Sequence, residues 1–551
     1  MTSIENRMKT AAGLLMLACA AMSCGTTCAA DVAFTGGADG SSRDLALAAN
    51  WDGGTLPSAS GDMGVVDVAT FGGSYTVSAN ATLDGLKFAN ASANITIDGS
   101  GTLSLGAGGF TVDAKVGITL RAPMAVTAAS TWSFGNGLVN SYASISGTAD
   151  LALNDWSELH LRAAPGYGGK MTLSGKAARS IIHVWQGAAW ANTVAVSKGA
   201  VVWQFEGRVP FSTIFPGRSL THTAWADVSH GGTGTLVFED GDTLTTSGDY
   251  HQIASGGLEI TGGNYTFGAA FVMGDNTGTV GWNRGSPASL LVSGGSFTGN
   301  QFNLGAFTAT NRLVRQTGGT ATMCTYHIGG YGDFSGTVPV MEYRLEGGTI
   351  QDKNGAARDR GLIMGGTVPS ANPHTPAGIF TQTGGQANFA RLYWGAKGGF
   401  YTWDDTSTIP NGRAYGLIDL RGGEFILPSA GFEVTPMWNA GAISNSTYDI
   451  RLSGGNVRTR SSVTIPLAMT VESGDGPSTW DTGANNVLVS APVDGEGTLR
   501  KAGTGRLQLT DAVRFKGSVA VDEGVLEVRG NIAAPTGYNP SLPLRFLKSA
   551  V

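Results

Sequence analysis

Residues 258–267 read LEITGGNYTF, and the same frame returns at residues 450–459 as IRLSGGNVRT. In both stretches apolar and polar residues alternate up to a Gly-Gly pair, and a second short alternation follows. A period of two residues predicts a β-strand with one buried face, and glycine permits a tight corner between strands. Gly-Gly pairs of this kind occur at residues 262–263, 294–295, 318–319, 347–348, 384–385, 422–423 and 454–455.

The distance from each Gly-Gly pair to the next glycine of the repeat is more regular than the distance from that glycine to the following pair. In four of five repeats a further glycine follows at a nearly constant distance, as from Gly262 to Gly274; the longer step from Gly347 to Gly365 is the exception. The return to the next pair is short at residues 305–318 and much longer at residues 395–422. Stacked coils of a solenoid produce this pattern, because strands keep register while loops bulge elsewhere. We therefore predict an all-β chain folded as a parallel β-helix, with tandem β-sandwiches as the alternative.

Short alternating triplets such as Ile95-Thr96-Ile97 extend the pattern back to about Ser74. Coils of about 25 to 32 residues between residues 75 and 530 would give about 15 to 18 coils and a rod about 70 to 90 Å long. We expect the region around Trp51 and the segment after Gly530 to cover the ends. The predicted regions are a signal peptide (1–30), an N-terminal strand region with a cap (31–135), a β-rich middle region (136–255), the Gly-Gly repeats (256–460), a C-terminal repeat (461–530) and a tail (531–551).

Composition excludes several classes of protein. Of 551 residues 84 are glycine, about twice the usual share, but the glycines lack the three-residue period of collagen. Hydrophobic residues make up 42%, which is too many for a disordered chain. The net charge is −6, which argues against nucleic acid as a partner, because binding phosphates needs clustered Lys and Arg.

The N-terminus resembles an export signal. Arg7 and Lys9 precede an apolar stretch from residue 11 to 22, and small residues before Asp31 suit cleavage after Ala30. The apolar stretch is shorter than a membrane-spanning helix, and no later stretch is long enough to be one. Cleavage would leave Cys324 as the one remaining cysteine, so no internal disulfide is expected. The alternative is a lipid anchor on Cys19 or Cys24, each of which follows an imperfect lipobox.

Acidic residues offer two places where chemistry could occur. Asp404 and Asp405 follow Trp403, and an aromatic residue beside acids can mark a sugar site, but adjacent residues on a strand point to opposite faces. A solvated loop is therefore the preferred interpretation. The segment from Glu239 to Asp242 could offer oxygen ligands to calcium, although a turn punctuated by Asp-Gly is preferred.

The remaining polar and aromatic candidates also have plainer explanations. The Arg358–Arg360 cluster suits a surface ion pair, and burial or a loop edge is preferred for His327. Residues 164–171 fail the phosphate-loop pattern at both ends. An aromatic core is preferred over a sugar platform for Trp185, Trp190 and Trp203. The seven histidines are dispersed and lack a His-Glu-x-x-His motif, so we predict no catalytic, metal-binding or cofactor-binding residue.

Residues 495–530 read GEGTLRKAGTGRLQLTDAVRFKGSVAVDEGVLEVRG, which resembles the autotransporter-associated β-strand repeat of bacterial surface proteins. The positions that match this repeat are Leu499, Lys501, Gly503, Gly505, Leu507, Leu509, Phe515, Gly517, Val521, Gly524, Leu526 and Val528. The resemblance implies a right-handed parallel β-helix exported across a Gram-negative envelope, and it brings no catalytic residue. A translocator barrel would need many more strands than residues 531–551 can supply, so we expect none here.

These observations favour an exported, non-enzymatic protein of the cell surface or extracellular space, adhesin-like or structural, whose loops are displayed by the β-helix. Glycans or other surface proteins are the expected partners. A secreted polysaccharide-degrading β-helix enzyme, a lyase or glycosidase, or a glycan-binding protein is the alternative. Either function would reside in the variable return loops, because the coils themselves are committed to stacking.

Overall fold

A computed structural model provides the fold. The structure describes residues 30–162, 167–175, 181–185, 193–198, 200–204, 207–222, 228–231, 234–246, 250–253, 256–274, 288–306, 311–329, 340–353, 361–364, 377–394, 415–427, 432–433, 447–474, 476–528 and 544–546. Short strands dominate these residues, and helix is confined to single turns: 3₁₀ turns at Ala48–Asn50 and Asp52–Gly54, α1 at Val68–Phe71 and α2 at Phe211–Ile214.

Fifty strands are present in the described residues, and most of them are short. The first half of the chain holds β1 (Asp31–Ala33), β2 (Met63–Asp67), β3 (Ser74–Thr76), β4 (Ala81–Ala89), β5 (Ile95–Asp98), β6 (Leu103–Val112), β7 (Ile118–Leu120), β8 (Met124–Val126), β9 (Ser130–Ser141), β10 (Ile145–Gly147), β11 (Leu151–Leu161), β12 (Lys170–Ser174), β13 (Ile181–Trp185), β14 (Thr193–Lys198), β15 (Ala200–Gln204), β16 (Arg208–Pro210), β17 (Ser219–His222), β18 (Val228–Gly231), β19 (Thr235–Phe238), β20 (Thr243–Thr246), β21 (Tyr250–Ile253), β22 (Gly256–Ile260), β23 (Asn264–Phe267) and β24 (Ala270–Gly274).

The second half continues the same pattern of short strands. It holds β25 (Ala288–Val292), β26 (Ser296–Thr298), β27 (Gln301–Ala306), β28 (Arg312–Gln316), β29 (Thr320–Met323), β30 (Thr325–Ile328), β31 (Val340–Leu345), β32 (Thr349–Asp352), β33 (Gly361–Met364), β34 (Ala377–Gln382), β35 (Gln386–Asn388), β36 (Leu392–Trp394), β37 (Tyr415–Leu420), β38 (Glu424–Leu427), β39 (Phe432–Glu433), β40 (Thr447–Leu452), β41 (Asn456–Thr459), β42 (Val463–Ile465), β43 (Met469–Val471), β44 (Ser478–Asp481), β45 (Asn486–Gly495), β46 (Thr498–Ala502), β47 (Arg506–Phe515), β48 (Ser518–Val521), β49 (Val525–Val528) and β50 (Leu544–Phe546).

Most coils in the described residues contribute one strand to each of three parallel columns. In the coil that begins at β22, the Gly-Gly corner at residues 262–263 leads into β23, and β24 follows. The chain then returns to β25, which pairs in parallel with β22 one coil further on. All strand pairings between these elements are parallel, and they repeat from coil to coil. The fold is a parallel β-helix, as the sequence predicted.

Column 1 is the longest of the three in the described residues. It contains β1, β2, β4, β6, β9, β11, β12, β14, β17, β20, β23, β26, β29, β32, β35, β38, β41, β44, β46 and β48. Twenty strands at a spacing of about 4.8 Å give a column about 90 Å long. Eighteen of them, from β4 to β48, lie between residues 75 and 530, which agrees with the predicted number of coils.

Columns 2 and 3 form the other two sides. Column 2 contains β3, β5, β7, β9, β11, β13, β15, β18, β21, β24, β27, β30, β33, β36 and β39, and then β42, β45, β47, β49 and β50. Column 3 contains β4, β6, β8 and β10, and then β16, β19, β22, β25, β28, β31, β34, β37, β40, β43, β45 and β47. Long strands such as β9 and β45 bend from one column into the next.

The length of a coil varies more widely than the sequence predicted. A coil is short where Leu507 pairs with Leu526, and it is twice as long where Phe380 pairs with Ile418. The strands and the corner are held by pairing, and the differences in length fall in the returns, the segments between the last strand of one coil and the first strand of the next. Most of these returns lie outside the described residues, including 275–287 and 395–414.

A single hydrophobic core runs through the described coils from Phe34 to Val528. The inward members of each alternating strand fill it, such as Ile260 in β22 and Ile418 in β37, both 0% exposed. Aromatic rings stack along the column direction, as between Phe271 and Phe302, whose ring centroids are 5.8 Å apart. Burial of one face of every strand explains the period of two in the sequence.

Glycine is required at the second position of the Gly-Gly corner. Gly348 has a φ of 75°, and a Cβ atom placed there would lie 2.4 Å from the carbonyl oxygen of Gly319 in the preceding coil. Gly385 and Gly423 repeat this arrangement one and two coils later. The corners therefore stack backbone against backbone, which no other residue allows.

Some corners are also held from inside by a buried polar side chain. The amide nitrogen of Gln382 donates to the carbonyl oxygens of both corner glycines and of Glu424, at 3.1 to 3.3 Å. Gln316 makes the equivalent bonds at the corner of residues 318–319, and its Oε1 accepts from the Tyr343 hydroxyl at 2.7 Å. The ammonium group of Lys501 likewise donates to three backbone carbonyl oxygens. These side chains add a donor to corner carbonyl oxygens, some of which, such as that of Gly319, also accept a backbone N–H from the neighbouring coil.

The N-terminal end is covered as the sequence predicted. Trp51 is 1% exposed, its indole nitrogen donates to the carbonyl oxygen of Leu45 at 3.1 Å, and its ring packs edge-on against Phe34. This aromatic group covers the core at the first coils. At the other end, β50 pairs with β49, so the segment after residue 530 adds a strand to column 2.

The segment at residues 495–530, which resembles the autotransporter-associated β-strand repeat, forms two successive coils in its described part, up to residue 528. Leu507, Leu509 and Leu526 are all fully buried. Gly503 and Gly524 have φ values of 79° and 73°, as the stacked corners require. Its repeated residues are therefore the inward side chains and corners of the β-helix.

Candidate functional site

Three side chains that could bind a metal ion meet on the outer side of column 2. Glu158 and His160 lie two positions apart on β11, and Leu159 between them is 1% exposed in the core. β13 pairs with β11 so that His183 lies directly beside His160. The two imidazole rings are stacked, with centroids 4.3 Å apart and planes 9° from parallel.

One carboxylate oxygen faces both rings. Oε2 of Glu158 lies 3.3 Å from Nε2 of His160 and 4.0 Å from Nε2 of His183. The side chains of the two histidines are 13% and 11% exposed, whereas that of Glu158 is 47% exposed. The cluster therefore has a buried nitrogen side and a carboxylate side that solvent reaches.

A β-bulge precedes the cluster on β11. The register between β11 and β9 shifts on both sides of Trp156, and Asp155 has a φ of 55°. The side chain of Trp156 is buried in the core, and beyond it Glu158 and His160 align with β13. Bulges redirect side chains and are frequent next to functional sites.

Both imidazoles are neutral at pH 7. Burial lowers the pKa of His183 to about 4, and the neighbouring His160 and Arg162 contribute in the same direction. Burial also lowers the pKa of His160, although its hydrogen bond to Glu158 opposes this. The guanidinium of Arg162 lies 5.3 Å from the ring centroid of Tyr142, which is 48% exposed. Neutral imidazoles leave nitrogen lone pairs for a ligand.

Sequence reasoning missed this cluster because the histidines look dispersed along the chain. His160 and His183 are separated by one coil of the β-helix, as the pairing of β11 with β13 shows. A search for polar residues separated by one coil length would have found the pair. The coil length itself changes along the chain, so this signal is weak without the structure.

The outer side of column 3 carries pairs of arginine and carboxylate. Glu342 accepts two hydrogen bonds from Arg344, at 2.9 and 3.0 Å, and a third from the Thr381 hydroxyl at 2.9 Å. Asp419 accepts two from Arg421, at 2.6 and 2.9 Å. Each arginine lies two positions after its carboxylate, on the same face of its strand. Both carboxylates are thus held in ion pairs with the neighbouring arginine.

A shallow cleft of about 490 Å³ opens on the same column. Asn311, Arg312, Leu313 and Glu342 are among the residues that line it. Arg312 is 2% exposed, and burial lowers its pKa to about 10. The cleft offers hydrogen-bonding groups beside an exposed leucine, the kind of surface on which part of a sugar chain could rest.

The acidic segment at residues 239–242 forms a turn. Asp242 is buried; its Oδ1 accepts from Arg218 and its Oδ2 from the backbone N–H of Glu239, both at 2.8 Å. Its oxygens are therefore used within the corner, which agrees with the turn interpretation. His327 in β30 is 1% exposed, so the burial that the sequence suggested is present.

Other sequence candidates lie outside the described residues. These are Trp403, Asp404 and Asp405, the cluster from Arg358 to Arg360, and Trp190. The strands that carry Trp185 and Trp203 are described, but their side chains are not. The cysteines at 19, 24 and 28 and the predicted leader up to residue 29 also fall outside.

Within the described residues, no helix has the length and apolar character needed to cross a membrane. The fold and its surface define a parallel β-helix protein whose candidate binding groups lie on the outer sides of columns 2 and 3. Comparison with known protein families gives no match, and searches against curated proteins and solved structures give none either.

Proposed function

We propose that this protein is an exported, non-enzymatic parallel β-helix that acts at the cell surface or outside the cell as an adhesin-like or structural scaffold. The observation that carries the proposal is the strand stacking, in which column 1 continues through twenty coils around one core. Such a body gives the loops between its coils a rigid support. Glycans or other surface proteins are the partners we propose for those loops.

The strands and corners are regular and the returns vary in length, and this difference supports a scaffold. Residues in the strands and corners are fixed by pairing and packing, and the spacing between them tolerates little change. The returns differ in length from coil to coil, from short links to segments such as 395–414. Variable loops on a rigid repeat are a common way to present a binding surface. The export-like leader and the resemblance of residues 495–530 to a transport repeat are consistent with display outside the cell.

A polysaccharide-degrading enzyme is the second candidate, and the cleft on column 3 is the observation that favours it. Glycoside hydrolysis needs two carboxyl groups set across the sugar, one of them able to donate or accept a proton. Glu342 lines the cleft, but Arg344 and Thr381 occupy its oxygens. Among the described residues that line the cleft, Glu342 is the single carboxylate, so the required pair is not present there. We therefore prefer a scaffold that binds glycans to an enzyme that cleaves them.

A panel of polysaccharides tests both candidates with the purified full chain. Each glycan is scored for retention of the protein and, separately, for release of new reducing ends. Binding without cleavage is the expected result. Cleavage that disappears in Glu342→Gln, Asp404→Ala or Asp405→Ala would establish the enzyme instead.

Export has its own test. Expression with the native leader in a Gram-negative host, followed by N-terminal sequencing of the mature protein, should give a chain that begins at Asp31. Lipid attached to Cys19 or Cys24 would assign the protein to the lipoproteins. Retention of the leader in the cytoplasm would contradict the proposed location.

A further inference from the structure

We propose that Glu158, His160 and His183 form a binding site for one divalent transition-metal ion of the Zn²⁺ class. Two imidazole nitrogens and a carboxylate oxygen are the ligand types that zinc takes in sites with three protein ligands and an open position. The ions Mg²⁺ and Ca²⁺ prefer oxygen ligands throughout, so a site with two imidazoles disfavours them.

The three ligand atoms are close enough that a small rearrangement of the side chains would bring them around one zinc ion. Ligand atoms about 2.0 to 2.1 Å from a tetrahedral zinc ion lie about 3.3 Å from one another. Oε2 of Glu158 and Nε2 of His160 are already 3.3 Å apart, and all three ligand atoms lie within 4.8 Å of one another. Rotation of the stacked rings about χ2 would bring the nitrogen of His183 towards the same point. The strand backbones need not move.

His183 provides a second reason to expect a ligand. The residue is 9% exposed, its Nδ1 is buried without a hydrogen-bond partner, and its Nε2 lies too far from Glu158 for a hydrogen bond. A metal ion on Nε2 would give this nitrogen the partner that it lacks, through the lone pair of the neutral ring.

The position on the β-helix also favours binding. Neighbouring strands of a parallel column place residues in the same register side by side, so His160 and His183 are held together by backbone pairing. The bulge at Asp155 adds the carboxylate to the same face. Arg162 is the nearby positive charge; its guanidinium lies over the exposed ring of Tyr142.

The test uses the full chain without a histidine tag, stripped by a chelator and titrated with ZnCl₂ in a calorimeter. We expect one ion per chain, and a loss of affinity of about 100-fold or more in His160→Gln and in His183→Gln. Glu158→Gln should weaken binding as well. The matched control is His251→Gln, a buried histidine on β21, three strands further along column 2 and about 14 Å away. It should bind Zn²⁺ as the unchanged chain does.

A second readout reports the ligands directly. Co²⁺ in place of zinc should give the strong visible absorption of a four-coordinate ion, and His160→Gln should abolish it. Because the His160 side chain is partly exposed, this variant decides the matter if His183→Gln fails to fold, as judged by circular dichroism. Absence of saturable Zn²⁺ binding, or equal binding by the unchanged chain and His160→Gln, would overturn the proposal.

Discussion

Replacement of Gly348 by alanine should destabilise the β-helix far more than a change at an unstacked glycine. Its φ of 75° is unfavourable for alanine by about 1 to 2 kcal/mol. The new Cβ would also lie 2.4 Å from the carbonyl oxygen of Gly319, where real contacts exceed 3.0 Å. Relief of this overlap needs a movement of about 0.6 Å between the two coils.

That movement acts on a specific hydrogen bond. The backbone N–H of Thr349 donates to the Gly319 carbonyl oxygen at 3.0 Å, and a shift of this size would lengthen the bond to about 3.6 Å, beyond hydrogen-bond range. Because Gln316 also donates to this oxygen, the group left without a partner is the Thr349 N–H, and its loss of a partner costs about 1 to 3 kcal/mol more. The expected total for Gly348→Ala is therefore about 2 to 5 kcal/mol.

Alanine variants of two other glycines separate the cost of backbone strain from the cost of the overlap with the neighbouring coil. Gly54 has a φ of 67° with no atom within 4 Å of a new Cβ, so Gly54→Ala should show only the backbone strain of about 1 to 2 kcal/mol. Gly476 has neither a positive φ nor a neighbour within 4 Å. Its alanine variant should be neutral or more stable by about 0.4 to 1 kcal/mol.

Urea unfolding followed by circular dichroism gives the free energies, and amide hydrogen exchange locates the change. Exchange is needed because long repeat arrays can unfold in parts rather than in one transition. For Gly348→Ala, faster exchange should be centred on the coils that contain Gly319 and Gly348. The reasoning is refuted if Gly348→Ala costs no more than Gly54→Ala.

Three further predictions concern buried side chains. Burial lowers the pKa of Lys501 from the usual 10.5 to about 8, so its charged form is disfavoured in the folded state. Between pH 8 and 10.5 the unfolded chain therefore binds more protons at this residue than the folded chain does, so stability rises with pH. The free energy of unfolding of the unchanged chain should increase, relative to that of Lys501→Met, by up to about 1.4 kcal/mol per pH unit. Parallel curves of stability against pH for the two proteins would contradict this. Urea unfolding should show that Gln316→Leu costs about 1 kcal/mol more than Gln382→Leu, because only Gln316 also accepts a tyrosine hydroxyl; equal costs would count against this. In the same assay Trp51→Ala should lower the free energy of unfolding by about 3 to 5 kcal/mol and speed hydrogen exchange in the first coils. The control Leu47→Ala changes a residue that is 47% exposed and should be nearly neutral. A neutral Trp51→Ala would contradict the role of Trp51 in covering the N-terminal end of the core.

The sequence by itself determined the strands, the corners and the fold class. Alternation such as Leu258-Glu259-Ile260 requires one buried face, and a pair such as Gly262-Gly263 marks a corner, because these are local properties of a few adjacent residues. The inward position of residues such as Leu258 and Ile260 follows from the same alternation, and the structure confirms it.

Only the tertiary structure decided which residues meet across coils. His160 contacts His183 because the chain between them makes one turn of the β-helix. Coils differ in length along the chain, so the number of residues between the two histidines does not by itself reveal the contact. Lys501 reads as a surface residue in the sequence, yet it is fully buried because its ammonium group reaches the carbonyl groups of a corner. Contacts of this kind depend on the length of each return, which no local pattern encodes, and so they arise only when the coils stack.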